Sequence, residues 1–143
     1  MQQSIFIIMM AFGLIIAGRS GSLATEKDCT ANDAVCQELA KLAAAEQFDR
    51  IIEKVDADKK YSEASKSYIG QAYLMMAGKE SNTPEQEEQL CLKALEYGAA
   101  SAYMGLYFIH AGQNPEKAIG FLKQYVATKP RDSVPYVLLG EVE

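Results

Sequence analysis

Apolar residues recur at steps of three and four along most of the chain, the spacing that places them on one face of an α-helix. Ala118, Leu122 and Tyr125 follow this spacing. The sequence lacks the alternation of apolar and polar residues that is typical of a strand. The pattern predicts seven helices, near residues 32–46, 48–57, 61–77, 84–97, 99–111, 115–128 and 133–142.

Residues that favour helix starts support two of these assignments. In Thr83-Pro84 and Asn114-Pro115, a side chain that can accept a first-turn N–H bond precedes a proline suited to the first helical position. Gln86 stands three residues after Thr83, where it can complete a capping box. Because the predicted loops are short, neighbouring helices should be antiparallel. The sequence therefore predicts an all-α fold of stacked antiparallel hairpins.

Three glycines mark an internal repeat. Gly70, Gly105 and Gly140 are 35 residues apart in both intervals, and each follows a large apolar residue. Glycine inside a helix costs about 0.5–1 kcal/mol relative to alanine, so its regular recurrence indicates a packing requirement. We expect a partner helix to approach closely at these positions, with Ala118 as the neighbour of Gly105.

The repeat resembles a known family of helical hairpins. Over about residues 61–143, the chain resembles the tetratricopeptide repeat. The shared pattern is a large apolar residue followed by glycine and an aromatic residue, then alanine and a large residue, and finally proline. The residues that carry this resemblance are Met104, Gly105, Phe108, Ala118, Leu122, Tyr125 and Pro130. Segment 93–98 also resembles the end of the related Sel-one-like repeat. The resemblance implies an α–α superhelix; Glu87 departs from it by standing where the second helix usually carries alanine.

The resemblance also implies a concave groove that binds another protein, either a peptide or a folded domain. The groove positions, counted from Gly70 and Gly105, are Ser67, Gln71, Leu74, Met75, Ala102, Leu106, Ile109 and His110. Tetratricopeptide domains that clamp a C-terminal carboxylate carry Lys, Arg and Asn at such places, and none stands here. The groove is therefore expected to be apolar with polar accents.

The N-terminus has the character of an export signal. An uncharged run of thirteen residues, 5–17, precedes the small-residue stretch Ser22-Leu23-Ala24. This length suits a secretory signal, whereas a membrane span needs about 20 apolar residues. We predict a signal peptide at 1–24 and a helical repeat domain at 25–143, located in the bacterial periplasm or secreted, with no membrane association after cleavage. An uncleaved anchor is the alternative, because the first four residues lack Lys and Arg.

Two of the three cysteines are close together at the start of the predicted domain. Cys29 and Cys36 predict a disulfide that ties the leading segment to the first helix, where Asn32 or Asp33 can provide the cap. A Cys36–Cys91 pair and free thiols are the alternatives. Cys91 stands among apolar residues and is expected to be a small buried side chain.

The supply of residues for catalysis or metal binding is small. His110 is the only histidine, so a Cys-dependent hydrolase, the alternative of another class, would depend on Cys91 and His110 alone. The cysteine spacing does not match a zinc site. No enzyme activity, metal or cofactor is predicted.

Composition and charge restrict the choice of partner. Of 143 residues, 49% are hydrophobic, which excludes a disordered chain. Nineteen acidic against 14 basic residues give a net charge of −5, which argues against nucleic-acid binding. The acidic residues Glu80, Glu85, Glu87 and Glu88 are expected to form a solvated first helical turn. We predict an exported protein-binding module that acts as an envelope adaptor or scaffold.

An alternative function remains open. An inhibitor or immunity protein that neutralises a toxic envelope-acting enzyme would use the acidic surface against a basic target.

The last residues have a separate expected role. Residues 133–143 are expected to form a partial repeat that caps the last hairpin, unless the chain is a piece of a longer array.

Overall fold

The computed structural model describes residues 29–128, and these form helices without any strand. The six helices are α1 (Ala34–Ala44), α2 (Phe48–Glu53), α3 (Glu63–Ala77), α4 (Pro84–Glu96), α5 (Ala102–His110) and α6 (Pro115–Thr128). The predicted all-α class is therefore confirmed for this part of the chain. The predicted helix at 133–142, Gly140 and the predicted signal peptide at 1–24 lie outside the described residues.

The predicted helix starts are found at α4 and α6. Thr83 Oγ1 accepts a bond from the Gln86 N–H at 3.2 Å, and Gln86 Oε1 accepts one from the Thr83 N–H at 2.9 Å. This reciprocal pair is the predicted capping box. At α6, Asn114 Oδ1 accepts a bond from the Lys117 N–H at 3.2 Å. Local polar side chains thus satisfy N–H groups that have no partner within the helix.

Helices α1 and α4 end in the same hydrogen-bond pattern. The Gln47 N–H donates to the Leu42 carbonyl at 2.9 Å, and the Ala99 N–H donates to the Ala94 carbonyl at 3.0 Å. This pattern places one residue after each helix in the left-handed backbone region. After α4 that residue is Gly98, with φ of 82°, but after α1 it is Glu46, with φ of 57°.

Replacing Glu46 by glycine is expected to stabilise the fold. A side chain in the left-handed region is penalised, and glycine removes that penalty at some cost in chain entropy. We expect Glu46→Gly to raise the free energy of unfolding by about 0.5–1 kcal/mol, measured by urea denaturation. Ala44→Gly, inside α1, is the control and should lower it by a similar amount. A loss of stability in Glu46→Gly would contradict this assignment of the helix end.

The core extends along the stack of helices in three adjoining clusters. Each helix packs against the next, and α1 also packs against α3. The first cluster joins α1, α2 and α3 through Cys36, Leu39, Ile51, Tyr68 and Ile69. The second joins α3, α4 and α5 through Ala77, Cys91, Ala94, Ala102 and Leu106. The third joins α5 and α6 through Met104, Tyr107, Ala118, Leu122 and Tyr125.

Gly70 marks a close approach between α3 and the end of α4. A Cβ atom added at Gly70 would lie 3.0 Å from the Ala99 Cβ and 3.5 Å from the Ala94 carbonyl oxygen. The neighbours of Gly70 are therefore at the end of the following helix, not at its start. Gly105 and Ala118 are both buried. Their predicted contact with each other stays a prediction.

Candidate functional site

The α3 part of the predicted groove has the solvent access that a binding surface needs. Ser67, Gln71 and Leu74 are half-buried, and Met75 is 37% exposed. The opposite face of α3, which includes Ile69 and Ala72, is buried against α1 and α2. The two faces follow from helical spacing, because residues three and four apart lie on the same side.

Most of the α5 part of the predicted groove is not accessible to solvent. Ala102 and Leu106 are fully buried and pack with Cys91 and Ala94 of α4. The prediction is corrected for these two positions, because a partner could reach them only if α4 and α5 separated. Ile109 remains half-buried, in the same cluster as Leu74. The accessible groove is called the α3 face below. It consists of Ser67, Gln71, Leu74 and Met75 of α3, together with Ile109 of α5.

His110 belongs to a polar cluster that joins three helices. Its Nε2 atom lies 2.9 Å from Glu88 Oε1 of α4, and Lys117 Nζ of α6 donates to the same oxygen at 3.2 Å. The His110 ring stacks on Phe121, with centroids 5.8 Å apart. Burial acts to raise the pKa of Glu88, but the bonds from His110 and Lys117 hold it below its usual value. With its side chain only 12% exposed, His110 is better placed to hold α4, α5 and α6 together than to contact a partner.

Glu87, the neighbour of Glu88, is buried. Its residue exposure is 6%, and among the described residues no hydrogen-bond partner is found for its Oε1 atom. Burial raises the pKa of Glu87 to about 7. The prediction of a solvated acidic turn is therefore wrong for this residue. Glu87 stands three residues after Pro84, as Ala118 stands three residues after Pro115, and both positions are inside the stack.

Cys91 does not have the surroundings of a nucleophile. The residue is fully buried, and burial, together with the nearby charges of Glu87 and Glu88, raises the pKa of its thiol to about 12. The thiolate is the reactive form of cysteine, so the thiol is inert at neutral pH. The hydrogen bond and ring contact of His110 are made to Glu88 and Phe121.

The N-terminal disulfide is present as predicted. Cys29 and Cys36 are bonded, with Cα atoms 5.6 Å apart, and Cys91 is free. Within the closed loop, Asp33 caps α1 by accepting a bond from the Cys36 N–H at 3.0 Å. Ser62, which caps α3, donates its hydroxyl to the Asp33 carboxylate at 2.8 Å. The bonds from Cys36 and Ser62 lower the pKa of Asp33, and the two caps tie the starts of α1 and α3 together.

The described part of the chain offers no metal centre and no membrane span. Within residues 29–128, no three His, Cys, Asp or Glu side chains are grouped closely enough to hold a metal ion. None of the helices there combines the length and the apolar character that crossing a membrane requires. Comparisons with protein-family models, curated proteins and solved structures gave no match for this chain.

Proposed function

We propose that the chain is an exported protein-binding module that acts as an adaptor or scaffold in the bacterial envelope. The observation that carries this proposal is the α3 face, where one apolar side chain is exposed to solvent and two more are partly exposed. Met75 is 37% exposed, and Leu74 and Ile109, which pack against the same core cluster, are half-buried. Protein interfaces combine such an apolar centre with a polar rim, which Ser67 and Gln71 supply here.

The arrangement of the helices supports the finer proposal of a tetratricopeptide-like stack. Successive helices pack on one another, and α1 also packs on α3, as the first helices of neighbouring hairpins do in such stacks, whereas α3 and α5 make little contact. Stacked hairpins present an extended surface formed by successive first helices. In this proposal, the α3 face belongs to that surface.

The disulfide supports the proposed location. Disulfides persist in oxidising compartments such as the periplasm and the cell exterior, and they are rare in the cytosol. The Cys29–Cys36 bond agrees with the export that the first 24 residues predict. A binding role is preferred over a hydrolase because Cys91 is buried and protonated.

A pair of matched variants tests the binding role of the α3 face. Met75 and Leu92 are each 37% exposed, but Met75 lies on the α3 face and Leu92 lies on α4. We expect wild-type protein to recover one partner protein from an envelope extract in stoichiometric amount. Met75→Glu should weaken that binding at least about tenfold, because a charge would be buried at the centre of the interface. Leu92→Glu should leave it unchanged.

Two results would contradict the proposal. Equal partner recovery by both variants would show that binding does not use the α3 face. Failure of the wild-type protein to recover any protein, with a measurable turnover that Cys91→Ser abolishes, would favour the hydrolase instead. Circular dichroism of both variants serves as the folding control.

A further inference from the structure

An open depression with a volume of about 240 Å³ lies between α1, the end of α2 and α3, away from the α3 face. Its apolar lining comes from Val35 and Leu39 of α1, Val55 after α2 and Ile69 of α3. Leu39 and Ile69 are buried core residues, so its floor is part of the packed interior. The volume is below the roughly 300–1,000 Å³ of drug-sized ligand sites, which suits a small aliphatic group.

Two lysines stand at the rim of this depression, and they differ in their partners. Lys54 Nζ is 2.7 Å from Glu38 Oε1, and that bond lowers the pKa of Glu38. Lys59 Nζ lies 5.8 Å from the centre of the Tyr61 ring, and no carboxylate of the described residues is within ion-pair distance of it. Lys59 acts on the Asp33 carboxylate only at longer range, where its charge helps to lower the pKa of Asp33, so its ammonium group can still form a direct bond to a bound anion.

Tyr61 adds a positioned hydroxyl at the same rim. Its oxygen accepts a bond from the Asp56 N–H at 2.9 Å, so its own proton remains to be donated. The ring contacts Tyr97 edge-on, with centroids 6.4 Å apart, and this contact holds the hydroxyl in place. The nearby Asp33 carboxylate already accepts bonds from the Cys36 N–H and the Ser62 hydroxyl.

We propose that this depression binds a short branched aliphatic carboxylate. The aliphatic part rests on Val35, Leu39, Val55 and Ile69, and the carboxylate accepts bonds from Lys59 and Tyr61. An apolar floor with a few convergent polar groups at one edge is the usual composition of a small-ligand site. The same chemistry is found in a free short-chain acid and in the C-terminal leucine or valine of a polypeptide. This site is separate from the α3 face and does not depend on the proposed function.

Nuclear magnetic resonance titration of the full chain tests the site, with 4-methylpentanoate as the probe and 4-methylpentanamide as its neutral match. We expect the acid to shift the amide signals of Val55, Tyr61 and Ile69 in a saturable manner. The amide should bind about tenfold more weakly, because it lacks the charge-assisted bonds. Equal binding of acid and amide, or no saturable shift with the acid, would overturn the proposal.

Amino-acid substitutions test which residues cause the preference for the acid over the amide. Lys59→Gln should abolish the preference for the acid, whereas Lys41→Gln, at the exposed end of α1, should retain it. Val55→Phe should fill the depression and abolish binding of both probes while the remaining spectrum stays folded. Retention of the preference in Lys59→Gln would overturn the assignment. A peptide Ala-Ala-Leu that binds more tightly than the free acid identifies a polypeptide C-terminus as the ligand, and weaker binding identifies a small acid.

Discussion

Replacement of Glu87 by glutamine is expected to make the folded protein more stable at pH 8 by about 2 kcal/mol. Burial raises the pKa of this carboxyl from its usual 4.5 to about 7, so the fold favours the protonated form. Between these two values the folded state binds more protons than the unfolded state. Stability therefore falls as the pH rises from about 4.5 to about 7, and it levels off above that range. Glutamine is uncharged at every pH and avoids this loss.

Urea denaturation at pH 5 and pH 8 measures the effect. Wild-type protein should lose about 2–3 kcal/mol between the two values, since one pKa unit corresponds to about 1.4 kcal/mol. Glu87→Gln should lose much less, and the two proteins should be nearly equal at pH 5. Glu85→Gln, an exposed residue in the same helical turn, is the control and should retain the wild-type pH dependence. An unchanged pH dependence in Glu87→Gln would show that Glu87 is ionised in the folded protein.

Three other carboxyl groups have the opposite effect at lower pH, where they make the stability of the fold increase as the pH rises. The pKa values of Asp33, Glu38 and Glu88 are all lowered, chiefly through hydrogen bonds to Cys36, to Lys54, and to His110 with Lys117. Their contribution to the free energy of unfolding is fully present when the pH is above their ordinary pKa values, and it is lost as the pH falls below about 4. The protein should therefore be most stable in mildly acidic solution.

Substitution of Gly70 by leucine is the second large effect that we expect, a loss of about 2–3 kcal/mol in the free energy of unfolding. The first carbon of any side chain at this position would already lie 3.0 Å from the Ala99 Cβ. The remaining atoms of leucine would meet the backbone carbonyls of Ala94 and Tyr97, which cannot rotate away. The end of α4 would then have to move off α3.

Alanine substitutions at two glycines separate packing from helix propensity. Gly120 is inside α6, and a Cβ added there meets nothing within 4 Å, so Gly120→Ala should gain about 0.5–1 kcal/mol. Gly70→Ala should show no such gain, because the tight contact with Ala99 offsets it. Thermal and urea unfolding measure all three variants. If the Gly70→Leu protein were as stable as wild type, the close approach between α3 and the end of α4 could not be the reason for a glycine at this position.

The helices could be predicted from the sequence because their signals are local. Thr83, Gln86 and Asn114 act within one turn of their own position, and the disulfide joins cysteines seven residues apart. The predicted helix from residue 48 to 57 was too long, since α2 ends at Glu53.

The features that prediction missed depend on contacts between helices. The predicted groove assigned Ala102 and Leu106 by analogy with α3, but α4 covers this side of α5. The bond between Glu88 and His110 joins residues 22 positions apart. Glu87 has polar neighbours along the chain, so only its departure from the alanine of the repeat pattern could have indicated its burial.

Site-specific photo-crosslinking in an export-competent bacterium tests the central claim most directly. A photoreactive amino acid is placed at Met75 in one strain and at Leu92 in another, two positions of equal exposure on different faces. The account predicts that the probe at position 75 joins the chain to one partner protein, and that the probe at position 92 does not. Crosslinking from position 92 alone, or the same products from both positions, would contradict the α3 face as the binding surface.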